Sequence, residues 1–201
     1  MRVHLQRLIV TAIVMAAMLG AARAADGNGQ FAIKGLGLSD CATLLRARKE
    51  KSNDYKIFLI WIDGYVTGRN ELTDGTFDLL SWESPDLIAQ IASQFCTDHP
   101  QARIAGVIRQ IVNELSDQRL TGAAKLVAVR HGDQAFLVYA DTLLRAKSAL
   151  SERGFYDGPK EPVFDKALED ALGAFQKQEG LQQTFLPDQV TLWKLLRSDR
   201  K

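Results

Sequence analysis

The sequence of 201 residues has few of the side chains on which metal centres and covalent catalysis are built. It contains two cysteines and three histidines, with no Cys-x-x-Cys pair and no two histidines at ligand spacing, which excludes the familiar tetrahedral zinc arrangements. It also lacks an excess of either charge. Against 24 Asp and Glu stand 25 Lys and Arg, a net charge of +1, so there is no basic surplus of the kind nucleic-acid binding requires. Proline is scarce, at five, and no stretch repeats or is low in complexity, which excludes solenoid arrays and proline-rich spacers. No apolar run approaches the ~20 residues that span a bilayer as a helix. The run Leu8 to Leu19 has 12. The hydrophobic fraction of 46% is that of an ordinary globular chain, so one or two packed domains are expected.

That short run carries its own meaning. Arg2, His4 and Arg7 precede it, and Gly20 and Ala22-Arg23-Ala24 follow, so a basic start leads through an apolar centre to a small-x-small end. This is the pattern of a secretory signal peptide, residues 1–24, cleaved after Ala24. A lone anchoring helix is the competing reading, but it would carry charge along one face. Losing Arg2, Arg7 and Arg23 takes the bases from 25 to 22 against 24 acids, so +1 becomes −2. The expected product is periplasmic, with no transmembrane segment, lipid-anchor cysteine or twin-arginine pair. Small polar residues from Asp26 to Gln30 make residues 25–37 a flexible N-terminus.

In an exported chain the two cysteines, Cys41 and Cys96, most simply form one disulfide. A catalytic thiol or a metal site would need company, and only His99 and His131 remain after the leader. The residues between the cysteines read as helices. Ser39-Asp40 caps a first helix containing Leu44 and Leu45, ahead of the charged Arg46 to Lys51. A second begins near Asp54. Ile57, Trp61 and Tyr65 recur at i+4 beside Phe58 and Ile62, so this helix is expected at the centre of the domain. Gly64 and Gly68 share one stripe, which admits a close neighbouring helix, and Gly68 reads equally well as a C-terminal cap. Thr73 to Trp82 is loop-like. Ser84-Pro85 opens a third helix with Leu87, Ile88, Ile91, Ala92 and Phe95 inward, and Pro100 a fourth with Ile104, Val107, Ile108, Ile111, Val112 and Leu115.

Three motifs within Leu38 to Leu115 carry a resemblance: Asp40-Cys41 with Leu44-Leu45; Trp61-Ile62-Asp63-Gly64-Tyr65 with Gly68 and Asn70; and Cys96 with His99-Pro100. The region is similar to periplasmic acid-stress chaperones of the HdeA/HdeB type, small helical domains with one cysteine pair. The resemblance implies an HdeA-like domain at 38–116, and acid-unfolded client proteins as partners if the activity transfers with the fold. The C…GYxxG…C pattern is also shared by disulfide-bonded immunity proteins of toxin systems, an interaction function.

Residues 117–139 read as a linker. Leu126-Val127-Ala128-Val129 and Ala135-Phe136-Leu137-Val138-Tyr139 are β-prone around a turn-like His131-Gly132-Asp133-Gln134, which predicts a short hairpin. A helical continuation is the alternative. From Asp141 the pattern is helical, through Leu143, Leu144, Ala146 and Leu150 to a closing Gly154 and the turn residues Asp157, Gly158 and Pro159. Leu168, Ala171, Leu172 and Phe175 mark the core face of a following helix ended by Gly180, and Val190, Leu192, Leu195 and Leu196 that of a third.

These residues resemble the peptidoglycan-binding-like three-helix domain. They carry its G-[YF]-[YF]-D-G turn as Gly154 to Gly158, then Phe164, Ala171-Leu172 with Phe175-Gln176, Gly180-Leu181, and Asp188 with Thr191. Two elements of the pattern differ: Glu161-Pro162 replaces a second D-G, and Thr184-Phe185 replaces T-G. The resemblance implies a module at 140–198 that binds peptidoglycan or a wall-associated protein. Phe155, Tyr156, Asp157 and Gly158 are its candidate contacts, with Tyr156 and Asp157 offering an exposed aromatic beside a polar group.

Catalysis has no constellation to rest on, and no catalytic residue, metal or cofactor is expected. His99 reads as part of a helix start, His131 as a turn residue, and Asp63 as a solvent-facing carboxylate or, if shielded, an acid sensor. The expected protein is thus mainly α. A disulfide-tied four-helix domain leads through a hairpin linker to a small three-helix domain. The expected function is non-enzymatic association with the cell envelope, with an acid-stress chaperone as the alternative.

Overall fold

The computed structural model describes residues 26, 28 and 30–197, so the expected leader lies outside the described residues. From Gly35 on, the chain forms one compact unit, mainly α. Its helices are α1 (Cys41–Glu50), α2 (Asn53–Leu72), α3 (Pro85–Asp98), α4 (Ile104–Leu115), α5 (Ala140–Glu152), α6 (Lys166–Gln178) and α7 (Gln189–Leu196). Between α4 and α5 lies an antiparallel hairpin of β1 (Leu126–His131) and β2 (Gln134–Tyr139). Four of the helices begin where a short polar side chain accepts an otherwise unpaired amide: Asp40 from Thr43, Ser84 from Leu87, Asp165 from Leu168 and Asp188 from Thr191. Each such cap contributes about 1 kcal/mol.

The first core gathers around α4, whose Ile104, Val107, Ile108, Ile111, Val112 and Leu115 are all buried. Leu44 and Ala47 of α1, Phe58 and Ile62 of α2, and Ile88, Ala89 and Ala92 of α3 close on it. The Cys41–Cys96 disulfide ties the first residue of α1 to α3. Helix α2 is therefore not central: only Phe58 and Ile62 are fully inside, while Ile57 and Ile60 face solvent. The unbroken apolar face belongs to α4, which takes the middle and leaves α2 packed along one side. Phe95 also turns outward and stacks on His99, ring centroids 4.1 Å apart. The inner stripe of α3 runs instead through Ile88, Ala92 and the disulfide-held Cys96. His99 closes α3 rather than opening a helix, and α4 starts at Ile104, not Pro100. Gly68 lies inside α2, which continues to Leu72. A Cβ added at Gly64 or Gly68 would meet no neighbour.

The hairpin forms, with Leu126 opposite Tyr139 and His131 opposite Gln134. Its turn is only Gly132-Asp133, with Gly132 at φ 55°, so His131 is a strand residue. Val129 and Val138 are buried against α5 to α7 in a second core with Leu143, Ala146, Leu150, Leu168, Leu172, Phe175, Leu192 and Leu195. Gly154 and Gly180 take the left-handed conformations that end their helices, at φ 76° and 67°. Val190 is exposed, because α7 begins at Gln189 and places it opposite Leu192 and Leu195. Leu196 is half-buried at the margin of the second core.

The two cores meet. Trp193 of α7 packs against both, and Trp82, from the loop before α3, belongs to the second. Behind it, Arg197 donates to Glu83, to the Leu115 carbonyl at 2.8 Å and to Asp117 at 2.6 Å.

The disulfide closes a sequence separation of 55 residues. On the chain-entropy account, replacing both cysteines by serine is expected to remove about 4 kcal/mol of stability. Urea unfolding followed by circular dichroism measures it. An unchanged midpoint would show that the unfolded chain is not restrained by this link.

Candidate ligand-binding groove

The turn after α5 is fixed from within. Lys147, buried to 1% exposure, donates to Asp165 at 2.8 Å and to the Pro159 carbonyl at 3.2 Å, and its Nζ lies 5.2 Å from the centre of the Tyr156 ring. Burial pulls the lysine pKa down, but hydrogen bonds to Asp165 and Tyr156 outweigh it and hold it above its ordinary value. Tyr156 donates to Pro159 O at 2.7 Å and is 5% exposed. It is thus a buried support of the turn and not the exposed aromatic expected from the sequence. Gly158 packs so closely on the Tyr156 ring that a Cβ would overlap it. Phe155 is half-buried, edge-on to Phe175 at 5.6 Å. Of the four candidate contacts, only Asp157 stands exposed to solvent.

A second polar cluster organises the loop between α6 and α7. Gln176, fully buried, donates to Thr184 Oγ1 and Thr191 Oγ1 at 2.8 Å and to Leu186 O at 3.0 Å, and accepts from the Phe185 amide at 2.9 Å. Its amide nitrogen and its amide oxygen are thus both engaged. Thr184 in turn hydrogen-bonds Asp188, which caps α7. Phe185 takes the left-handed conformation, φ 57°, at the position where the resembled pattern carries glycine. Its ring lies over Gly173, where a Cβ would collide with it. It also stacks on His131, 4.7 Å between centroids, whose Nδ1 is 2.6 Å from Glu169. His131 is thus the last residue of β1, paired with Glu169, and not the turn residue expected from the sequence. Gly173, inside the otherwise helical Ala171 to Phe175, is a sequence signal of the close approach of Phe185, but not of the His131–Glu169 pair.

The loop held by Gln176 forms one wall of a groove of about 370 Å³, beside Gln134 at the start of β2. Gln182, Thr184, Asp188, Gln189 and Thr191 line it, with Val190 at its edge. Leu181 also lines it, most of the exposed groove surface is apolar with amides and hydroxyls set into it, and no basic group is present among these residues. Such a surface suits a ligand with apolar faces and a few uncharged hydrogen-bonding groups. Among the described residues no group of three or more His, Cys, Asp or Glu side chains is placed to hold a metal ion.

Residues 141–195 match the family model described as Putative peptidoglycan binding domain. The match runs from α5 to α7 and takes in the buried turn, the Gln176 cluster and the groove lining other than Gln134. No curated protein and no solved structure matches the chain. Within this peptidoglycan-binding-like module, the groove is the depression lined by the loop that Gln176 holds. Among the described residues no helix is long and apolar enough to cross a membrane.

A separate cavity of about 210 Å³ in the first core is lined by three carboxylates, Asp63, Asp78 and Glu83, with Thr67 and Asn70. Asp63 faces largely outward, yet partial burial raises its pKa above the ordinary 3.8. Burial likewise raises Asp78, against hydrogen bonds from the Leu80 amide, Asn70 and Tyr139. Burial also raises Glu83, against the charge of Arg197. A carboxyl with a raised folded pKa binds its proton more tightly when folded, so stability grows as pH falls toward the ordinary carboxylate range. Asp40 and Asp165 act oppositely. Hydrogen bonds to Thr43 hold Asp40 low. For Asp165, burial is outweighed by hydrogen bonds from Lys147 and the Leu168 amide. Their contribution is present above 3.8 and is lost below it. The melting temperature is therefore expected to rise from pH 7 toward about pH 4–5 and to fall below that. In Asp78→Asn the rise is shallower. Calorimetry across pH tests this, and a monotonic fall from pH 7 downward would contradict it.

Proposed function

We propose that this protein associates with peptidoglycan through residues 140–198 as a non-catalytic component of the cell envelope, acting outside the cytoplasm. The observation that carries this reading is the family-model match at 141–195, and two features of the molecule support it. The module's loops are held by buried polar clusters around Lys147 and Gln176, so its surface is pre-organised and little ordering opposes binding. Its groove sets amides and hydroxyls into a mainly apolar surface without a basic group, which suits a ligand that has both apolar ring faces and hydroxyl or amide groups. Export, read from residues 1–24, puts the module in the compartment where such a ligand occurs.

Acid-triggered opening of the helical part finds no support in the carboxylates that line its cavity. Asp63, Asp78 and Glu83 are all shifted in the direction that favours the folded state on mild acidification.

Sedimentation with purified sacculi tests the proposal. Residues 25–201 are expected in the pellet. The double variant Gln134→Ala, Val190→Glu, which alters the groove and spares both buried clusters, is expected to lower the bound fraction about five-fold, a loss of roughly 1 kcal/mol. A chain that stays wholly in the supernatant overturns the reading.

A further inference from the structure

Next to the groove lies a smaller cavity, of about 60 Å³, lined by Ser81, Trp82, Phe136, Leu137 and Leu192. Gln189 lines both depressions, and β2 borders both, through Gln134 at one and Phe136 to Val138 at the other. They therefore lie along a single strand, and the smaller is built jointly by the hairpin, the loop before α3 and the start of α7. Two polar atoms of its lining residues, Ser81 Oγ and Trp82 Nε1, are buried without a hydrogen-bond partner. Unpaired buried donors destabilise a fold, and the surroundings hold these in place. Gln189 donates to Trp82 O and accepts from the Ser84 amide at 2.8 Å. The Trp82 ring has Arg197 on it at 5.7 Å, and Arg197 also binds Glu83. The rest of the lining is apolar. Leu137, 62% exposed, stands at the margin.

Two buried donors on residues that line a recess of this size, with apolar side chains beside them, fit a small group with one strong acceptor and a methyl. The lining of the larger groove beside it has no basic side chain to pair with a carboxylate, and its one acidic residue is Asp188. We propose that the two depressions together bind an N-acetylated amino-sugar strand. The acetamido group enters the recess, its carbonyl accepting from Ser81 and Trp82 and its methyl resting on Phe136, Leu137 and Leu192. The adjoining sugar hydroxyls lie against Gln182 and Gln189. This rests on the peptidoglycan reading and narrows it: the recognised part is the glycan strand rather than the acidic stem peptide. It also assigns part of the site to Ser81 and Trp82, outside the module that the family model covers.

The test uses residues 25–201 with three soluble probes: a β-1,4-linked N-acetylglucosamine tetramer, the same tetramer without acetyl groups, and a stem peptide bearing free carboxylates. Nitrogen-15 NMR follows the Trp82 indole signal, assigned through Trp82→Phe. The acetylated tetramer is expected to shift this signal, and the other two to leave it in place. Ser81→Ala is expected to weaken tetramer binding about five- to ten-fold while leaving the melting temperature unchanged or higher, because it deletes a hydroxyl without a partner. Leu137→Lys is expected to weaken binding similarly. Equal binding of both tetramers, a response to the stem peptide alone, or unaltered binding by Ser81→Ala and Leu137→Lys would each overturn the inference. Sacculus binding without any tetramer response overturns it and leaves the peptidoglycan reading standing. Tetramer binding without sacculus binding does the reverse.

Discussion

The structure depends on a buried ion pair at the join between its two cores. Arg197, at the end of α7, meets Glu83 from the loop before α3, and the guanidinium also takes the Leu115 carbonyl and Asp117. Both charges are almost wholly shielded, so neither is tolerable alone. Removing one partner of such a pair typically costs about 3–5 kcal/mol, because the other charge is left in a poor solvent. The pair thus does more to specify one arrangement of the chain than to add net stability. It places the end of the C-terminal module against the end of α4 and, through Glu83, sets the loop that carries Trp82.

The consequences of that join reach the candidate site. Trp82 sits in the second core although its loop precedes α3, and Gln189 binds the main chain on both sides of Glu83. The recess beside β2 is consequently made of segments more than a hundred residues apart. A loop free to move would fill its unpaired donors with solvent. Held by Arg197 and Gln189, it keeps Ser81 Oγ and Trp82 Nε1 without partners, the condition under which a ligand gains from supplying an acceptor.

Within the module, polar groups rather than apolar ones give the loops their shape. Lys147 binds the turn that follows α5, and Gln176 binds the loop that follows α6. Each is a long polar side chain entering from a helix and meeting main-chain groups that would otherwise be unsatisfied. The hydrophobic stripe of α6 explains why the helix packs. It does not explain why the adjoining loop has one conformation, and Gln176 does.

Much of the architecture was determined by local sequence. The caps at Asp40, Ser84, Asp165 and Asp188 start helices because short polar side chains satisfy the first amides, and Gly154 and Gly180 end them because they accept positive φ. The apolar period of α4, the alternation of the hairpin and the cysteine pairing were likewise readable, since each expresses an interaction between near neighbours or a chemistry with few partners available. Only tertiary structure decided which apolar residues go inside. Trp61, Tyr65, Phe95 and Val190 are as hydrophobic as their neighbours, and packing geometry alone leaves Phe95 on His99 and Val190 in solvent. The same holds for Tyr156, whose hydroxyl suggested exposure until Lys147 and Pro159 supplied it with partners inside. The pairing of His131 with Glu169, and the recess that Trp82 shares with β2, have no sequence signature. They join residues whose separation along the chain carries no period, and they exist only because two cores are held at one junction.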